Sequence, residues 1–469
     1  MRALPATNAG SVPTGSMNTL ARKLRAADYF TLGWGTMVGV GWLVVMDDWL
    51  LRGGALGALL GFAIGGALLF PIGWVYGKLV VAMPDAAGEI AYTSAAFSRS
   101  ISFATGWMMT LAYFIVCPWE AVAVGRIAGY IFPQLDSMEI YRIAGRPVYL
   151  PHLIIGIGLT ALLTLLNYRG IRLSATFQNW TSFGTLALFV LFVALGVSRG
   201  SPRNFPPLFT RTPLISILLV LQIVPYFMTG FESVSKAAEE ASPHFGSRGF
   251  FRAIWTAILV GILFYTTIVA AVGFVAPWHQ LTAEKFMTAV AFQQAVHSRW
   301  IVNIILAAAL MSLFKCFNGN FVAASRLLFS LGRRGLIDQR VGQIHKQHQT
   351  PATAVLCIGI ATAACMLLGD AILVPVTEVG SVACALGWSA TCAAYLSLGH
   401  RTTRQNGISL SGAARTIAIA GLLVGIAMVL MKLLPVVPGH FTVYEWMALG
   451  IWIVLGAIFR RSEPSATLS

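Results

Sequence analysis

The sequence predicts an all-α polytopic membrane protein of about twelve transmembrane helices. Three observations predict it. Of 469 residues, 57% are hydrophobic and only 10% are charged, where a soluble domain carries about 25% charged residues. Mean hydropathy is +0.76. The apolar stretches recur along the whole chain, each close to the ~20 residues that cross a hydrocarbon core.

In chain order these stretches run at 29–51, 55–80, 101–132, 149–167, 175–198, 213–236, 250–277, 300–331, 351–370, 374–399, 412–434 and 441–459. Residues 1–27 precede them as a polar tail with Pro5, Pro13 and Gly15 that ends in the basic patch Arg22, Lys23, Arg25. It holds no apolar core of the kind a cleavable signal needs. Residues 461–469 form a short polar tail at the other end. One transmembrane domain, 28–460, accounts for the rest. Within it, residues 278–299, with Trp278, Leu281, Phe286 and Phe292, read as an external amphipathic helix at the interface, with a cover over the outward vestibule or a plain loop helix as the alternatives.

A net charge of +15 raises nucleic acid as a partner, but its distribution is that of membrane topology. With the amino terminus inside, 21 of the 32 Lys and Arg lie in cytoplasmic segments, nine lie outside, and Arg126 and Lys315 lie within helices. The positive-inside rule then puts both termini in the cytoplasm of a multi-pass protein of the cell membrane. All six cysteines fall within helices, away from any loop that would carry a disulfide and without metal-ligand spacing. They read as small packing residues. No phosphate-binding loop, HExxH, GxSxG elbow or paired histidines occur, so no metal, cofactor or enzymatic chemistry is expected, and any transport is secondary.

Two apolar stretches are interrupted by glycine at matching places, around Gly39-Val40-Gly41 and Thr229-Gly230-Phe231-Glu232. A pair of such broken helices is the best sequence pointer to a transporter's binding site. Backbone groups freed in lipid persist only where protein, water or a ligand satisfies them. With the amino terminus inside, the segments starting near Gly41 and Glu232 both aim positive helix ends and spare N–H groups at the midplane. The halves ending near Val38 and Met228 present spare carbonyls there. Carboxylate on the first, ammonium on the second is the arrangement a zwitterion wants. Glycines that merely let helices pack closely are the alternative.

The runs that carry these breaks resemble the amino acid-polyamine-organocation (APC) superfamily. LRAADYFTLGWGTMVGVGW (24–42) looks like that family's first helix, and YFMTGFESVSKAAEE (226–240) its sixth. PDAAGEIAYTSAAF (84–97) and the run from SRLLFSLGRRGL to the final TP (325–351) are similar to its loops after helices two and eight. The resemblance implies two inverted five-helix repeats, 28–199 and 213–400, with two further helices in 412–460. It also implies alternating access around helices one and six, and a monomer or homodimer in the bilayer.

Carried over residue by residue, the resemblance makes Gly39, Val40, Gly41 and Trp42 the carboxylate-binding stretch and Phe227, Met228, Thr229 and Gly230 the amine-binding stretch. Tyr226 takes the place of an aromatic gate. Glu232 matches a proton-sensitive acid, with a structural carboxylate bonded to helix-end N–H groups as the alternative. Val40 replaces a small polar residue, which leaves a substrate carboxylate to the backbone alone.

Many relatives place a lysine where this chain has Thr185. Here Lys315 stands instead on the eighth helix, eleven residues or about 16 Å before Arg326, near midplane. An intramembrane lysine costs about 2.5–3.5 kcal/mol and should face the interior. There it can shed and regain a proton, so Lys315, with Thr185 or Asn318, is the expected proton switch. A structural lysine is the alternative. Asp47, Asp48 and Glu120 read as outer vestibule acids, one of them paired with Arg126, the remainder favouring cationic substrates, with solvated charges or pairs that have no selectivity role as the alternative. The expected activity is proton-coupled uptake of an amino acid or related amine. An amino acid or amine exchanger is the nearest alternative, and a non-transporting receptor the alternative from another class.

Overall fold

Chemistry at membrane depth leaves the backbone one economical solution, and the chain takes it: its amides are satisfied within helices. The computed structural model describes residues 22–401, apart from 244 and 285, and 410–460. The tails read from the sequence at 1–21 and 461–469 lie outside the described residues. Among the described residues nine helices are long and apolar enough to cross a bilayer: Met46–Ala82, Arg99–Ile131, Leu150–Arg169, Arg172–Arg199, Ser247–Val275, Trp300–Arg333, Ala352–Ala371, Pro375–His400 and Gly412–Leu433. To these are added the shorter apolar helix Val443–Phe459 and two broken segments. This is a polytopic all-α membrane protein.

Burial separates the centre of the bundle from its rim. The most apolar window of Arg99–Ile131 is 94% buried, so that helix runs through the middle, whereas the window of Arg172–Arg199 is 28% buried and offers its outer face to lipid. Pro118 has no N–H for the Phe114 carbonyl, and the central helix is divided there into Arg99–Phe114 and Val116–Ile131.

The first broken segment consists of Ala26–Met37 and Gly41–Val44, the second of Pro213–Leu221, Val224–Met228 and Ser233–Lys236. The first turns back toward the helix that follows at Gly54, whose φ of 69° is left-handed and whose Cα sits against the Leu208–Phe209 backbone. At the end that carries the start of the first segment, here called the near side, Leu24 forms a parallel backbone bridge to the stretch after the second: Leu24 N donates to Glu240 O (2.9 Å) and Ser242 N donates to Leu24 O (2.9 Å).

Two elements differ from expectation. Residues read as a loop between 132 and 149 contain an antiparallel hairpin, Glu139–Ile143 with Arg146–Tyr149, turning at Ala144 and Gly145, both at positive φ. Tyr141 Oη fixes it by donating to Leu367 O (2.6 Å). The amphipathic stretch 278–299 forms the helix Met287–Val296, but its apolar face is buried in protein. Phe292 stacks on Phe192 at 4.1 Å, and Thr288 Oγ1 donates to Trp42 O (2.8 Å). The helix lies over the first broken segment, because its small and aromatic face fits between helices better than against lipid headgroups.

Candidate functional site

The two breaks meet. Val38 leaves helical geometry at φ −99°, ψ 98°, Thr229 is extended, and Gly230 has φ 138°. Gly230 packs directly on the backbone of Gly33 and Met37. The Tyr265 hydroxyl lies 3.0 Å from Met37 O and 2.9 Å from Phe227 O, sharing its one proton between the carbonyls that end the two half-helices.

The freed groups of the first break are satisfied by the Arg299–Arg333 helix. Ser312 Oγ lies 2.7 Å from Gly39 O and 3.2 Å from Val38 O, Asn320 Nδ2 donates to Thr36 O (2.9 Å), and Cys316 Sγ donates to the same oxygen (3.1 Å). Lys315 Nζ donates to Val38 O and lies 4.4 Å from the Trp34 ring centre. Its side chain is fully buried, so the ammonium rests on a carbonyl dipole and an aromatic face. Thr185 and Asn318 are engaged elsewhere. Thr185 Oγ1 donates to Thr181 O (2.8 Å), while Asn318 Oδ1 accepts from Asn167 and Ser174 (3.0 Å each) and its amide donates to Gln178 Oε1 (2.9 Å).

At the second break Glu232 accepts three hydrogen bonds: from Thr229 Oγ1 (2.6 Å), Gly230 N (3.0 Å) and Trp388 Nε1 (3.1 Å). In this geometry its carboxylate caps the unwound turn.

A small cavity lies between the breaks, lined by Gly39, Gly41, Tyr226, Phe227 and Thr229 among the residues expected there, with Thr36, Trp119, Glu120 and Cys316 added. Val40, Trp42, Met228 and Gly230 do not line it. Trp42 turns toward Phe192 (5.6 Å between rings), and Met228 and Gly230 pack on neighbouring helices.

The expectation of an acidic outer vestibule does not hold for three of its four residues. Glu120 is not in a vestibule. Its Oε1 accepts from Val40 N (3.3 Å) in the first break, its residue is 1% exposed, and its Oε2 is buried with no hydrogen-bond partner. Asp48 is neutralised by Arg52 (2.7 Å), which also reaches Glu378 (2.9 Å), and Lys432 pairs with Glu378 in turn. Arg126 pairs with Asp370 (3.2 Å), not with any of the expected acids. Helical rise gives the depth of a side chain but not its bearing, and bearing decides these partners. Asp47 is partly exposed.

Sequence reasoning missed a second buried charge cluster. Lys236 Nζ lies 2.5 Å from Glu89 Oε1, 3.2 Å from Tyr113 Oη and 3.2 Å from Glu232 O, between the rings of Tyr113 and Tyr76, and Tyr76 Oη donates to the same Glu89 oxygen (2.6 Å). The signal was present: Lys236 follows Glu232 by one helical turn. On the near side Arg326 holds Glu240 (3.0 Å), and Arg333 and Arg334 hold Asp85 (3.2 and 2.5 Å). Among the described residues no group of three or more His, Cys, Asp or Glu is placed to hold a metal ion.

Comparison with known proteins gives the geometry a family. The model of the family described as amino acid permease matches residues 26–458, nearly the whole chain. This chain belongs to the amino acid permease family. The permease is 25% identical over 381 residues to the branched-chain amino acid permease BcaP of Bacillus subtilis, covering 79% of this chain and 78% of that protein. It is 21% identical over 414 residues to the amino-acid permease RocE of the same organism, covering 83% of each chain. Similarity extends to the methylthioribose transporter of Bacillus subtilis, 23% identical over 356 residues, 73% of this chain and 75% of that one.

Proposed function

We propose that this permease takes up a small solute bearing a cationic amine, an amino acid or a related amine, together with a proton, by alternating exposure of the cavity between its two breaks. The family membership and the names of its relatives support an amino acid transporter. The proton and the direction of flux are our reading. The carrying observation is Lys315, a fully buried amine that rests on the Val38 carbonyl and the Trp34 ring beside the first break.

A buried amine without a carboxylate on it is costly to keep charged. Protonated, it pins the carbonyl end of the half-helix Ala26–Met37 to the Arg299–Arg333 helix. Neutral, it is a weaker donor, and the half-helix is freer to swing. Proton gain and loss are thereby tied to the element that opens the near side. We place that side in the cytoplasm of a cell-membrane protein, in line with the excess of basic residues there.

The test is uptake into proteoliposomes with and without an imposed pH gradient, for the wild type, Lys315→Met and Lys315→Ala. Gradient-driven accumulation should be lost in both variants while binding to detergent-purified protein persists. Accumulation that stays proton-driven in Lys315→Met removes the coupling role. Uptake that needs counter-substrate inside the vesicles identifies an exchanger.

A further inference from the structure

A transporter that holds a substrate carboxylate on the first break must keep that break's N–H groups open. Here one is already taken. Glu120 reaches from the central helix to accept the Val40 N–H, and Gly39 lies so close that a methyl group built on it would stand 2.0 Å from Glu120 Oε1. With Glu120 ionised, a second carboxylate at this buried spot would meet the first at contact distance, which like charges resist by several kcal/mol at such range.

Glu120 lines the cavity, and the other half of its carboxyl is unsatisfied. Oε2 is buried and has no partner. Changing its protonation does not repair this: ionised, the oxygen lacks a donor; protonated, its O–H lacks an acceptor. Either way the group is incomplete until something binds, and a buried polar atom left so costs about 1–3 kcal/mol. Around it stand Trp119, Tyr226 and Phe227, and the Tyr226 hydroxyl is likewise buried and unpartnered. A carboxylate oxygen framed by aromatic rings and a free hydroxyl suits an alkylammonium group. The other ionisable groups facing this region are Lys315, on the Val38 carbonyl, Cys316, whose thiol lies between the Thr36 carbonyl and the Glu120 carboxyl, Tyr265, shared between the Met37 and Phe227 carbonyls, and Cys117, whose thiol reaches Tyr113 O at 3.7 Å.

We infer that Glu120 is a specificity-determining residue that stands in for the carboxylate of an amino acid, so that the permease prefers amines lacking an α-carboxylate over the amino acids that correspond to them. The inference rests on the transporter reading and sharpens it. The substrate ammonium binds Glu120 Oε2 against the aromatic walls, and its uncharged or remote portion extends toward Thr229.

Matched pairs test it directly: isobutylamine with valine, putrescine with ornithine, phenethylamine with phenylalanine. The purified full-length protein is titrated with each by thermal shift, and the hits are followed as proteoliposome uptake and mutual competition at one pH. The amine of at least one pair should bind at least tenfold more tightly than its amino acid, and Glu120→Gln should reduce that preference at least tenfold. An amino acid that binds as well as its amine in every responding pair overturns the inference while leaving the transporter reading standing. Response to neither member of any pair overturns both. If Glu120→Gln does not fold, the wild-type pair ratios decide alone.

Discussion

Gly230 stands against Met37 so closely that a methyl group on its Cα would lie 2.6 Å from the Met37 nitrogen, and 2.9 Å from the Gly33 carbonyl oxygen. Its φ of 138° is in the region that side chains other than hydrogen disfavour. The two unwound stretches can touch only because this position carries no side chain.

Gly230→Ala should therefore lower stability by about 1–3 kcal/mol from backbone strain, with a further loss as the half-helices part. Gly412→Ala, where nothing lies within 4 Å of the added methyl, should be neutral. Melting temperature and uptake of the two variants, measured side by side, check this. Equal melting of both would show that the breaks do not depend on this contact.

Glu232 holds two donors of the second break and one, Trp388 Nε1, from the Leu373–Arg401 helix. Replacing it with glutamine removes one acceptor oxygen and places an amide N–H against a donor, so about 1–3 kcal/mol of stability should go. Glu232→Ala should lose more. If Glu232 serves as a cap, gradient dependence of the remaining uptake is unchanged. Uptake by Glu232→Gln that no longer responds to a pH gradient would assign the carboxyl a proton-carrying role.

The Glu89–Lys236 pair is fully buried. Lys236→Met alone leaves a carboxylate in the core without its cation, at a cost of about 3–5 kcal/mol. Lys236→Met with Glu89→Gln should recover much of that loss, because two neutral groups need no partner charge. A double-mutant cycle on thermal stability measures the coupling. Additive losses would show that the two side chains act independently.

On the far side, Arg52 bridges the start of the Met46–Ala82 helix to Glu378 of the Leu373–Arg401 helix, and Lys432 joins Glu378 from Gly412–Leu433. Glu378→Gln leaves Lys432 without its carboxylate and Arg52 with Asp48 alone. The far side should open more readily, raising the rate at which Thr229→Cys reacts with a membrane-impermeant thiol reagent added from that side by about tenfold. A rate unchanged from the wild-type background would mean that the charges do not hold this end shut.

The helices and both breaks were legible in the sequence because hydropathy and glycine act locally. A run of apolar residues needs a helix in lipid whatever its neighbours; Gly230 takes an angle that other residues disfavour, and Gly39 and Gly41 let Glu120 and Phe227 approach the backbone. The bearing of a side chain was less legible. Glu120 was read by its depth alone, as a vestibule acid, and the direction that turns it onto the Val40 N–H of the first break was not readable from helical rise. Asp48 and Arg126 were read without Glu378 and Asp370, which are more than 200 residues away in the chain. The hairpin at 139–149 was lost because two strands of five and four residues carry too few alternations to stand out.

The backbone bridge at Leu24 carries a consequence of its own. Those two hydrogen bonds run from peptide to peptide, so exchanging any of the three side chains leaves them in place. The tether joins the start of one broken helix to the exit of the other, and swinging either half away first requires that it unzip. Shortening the protein past Leu24 would cut a strap that, proline apart, no exchange of side chains removes.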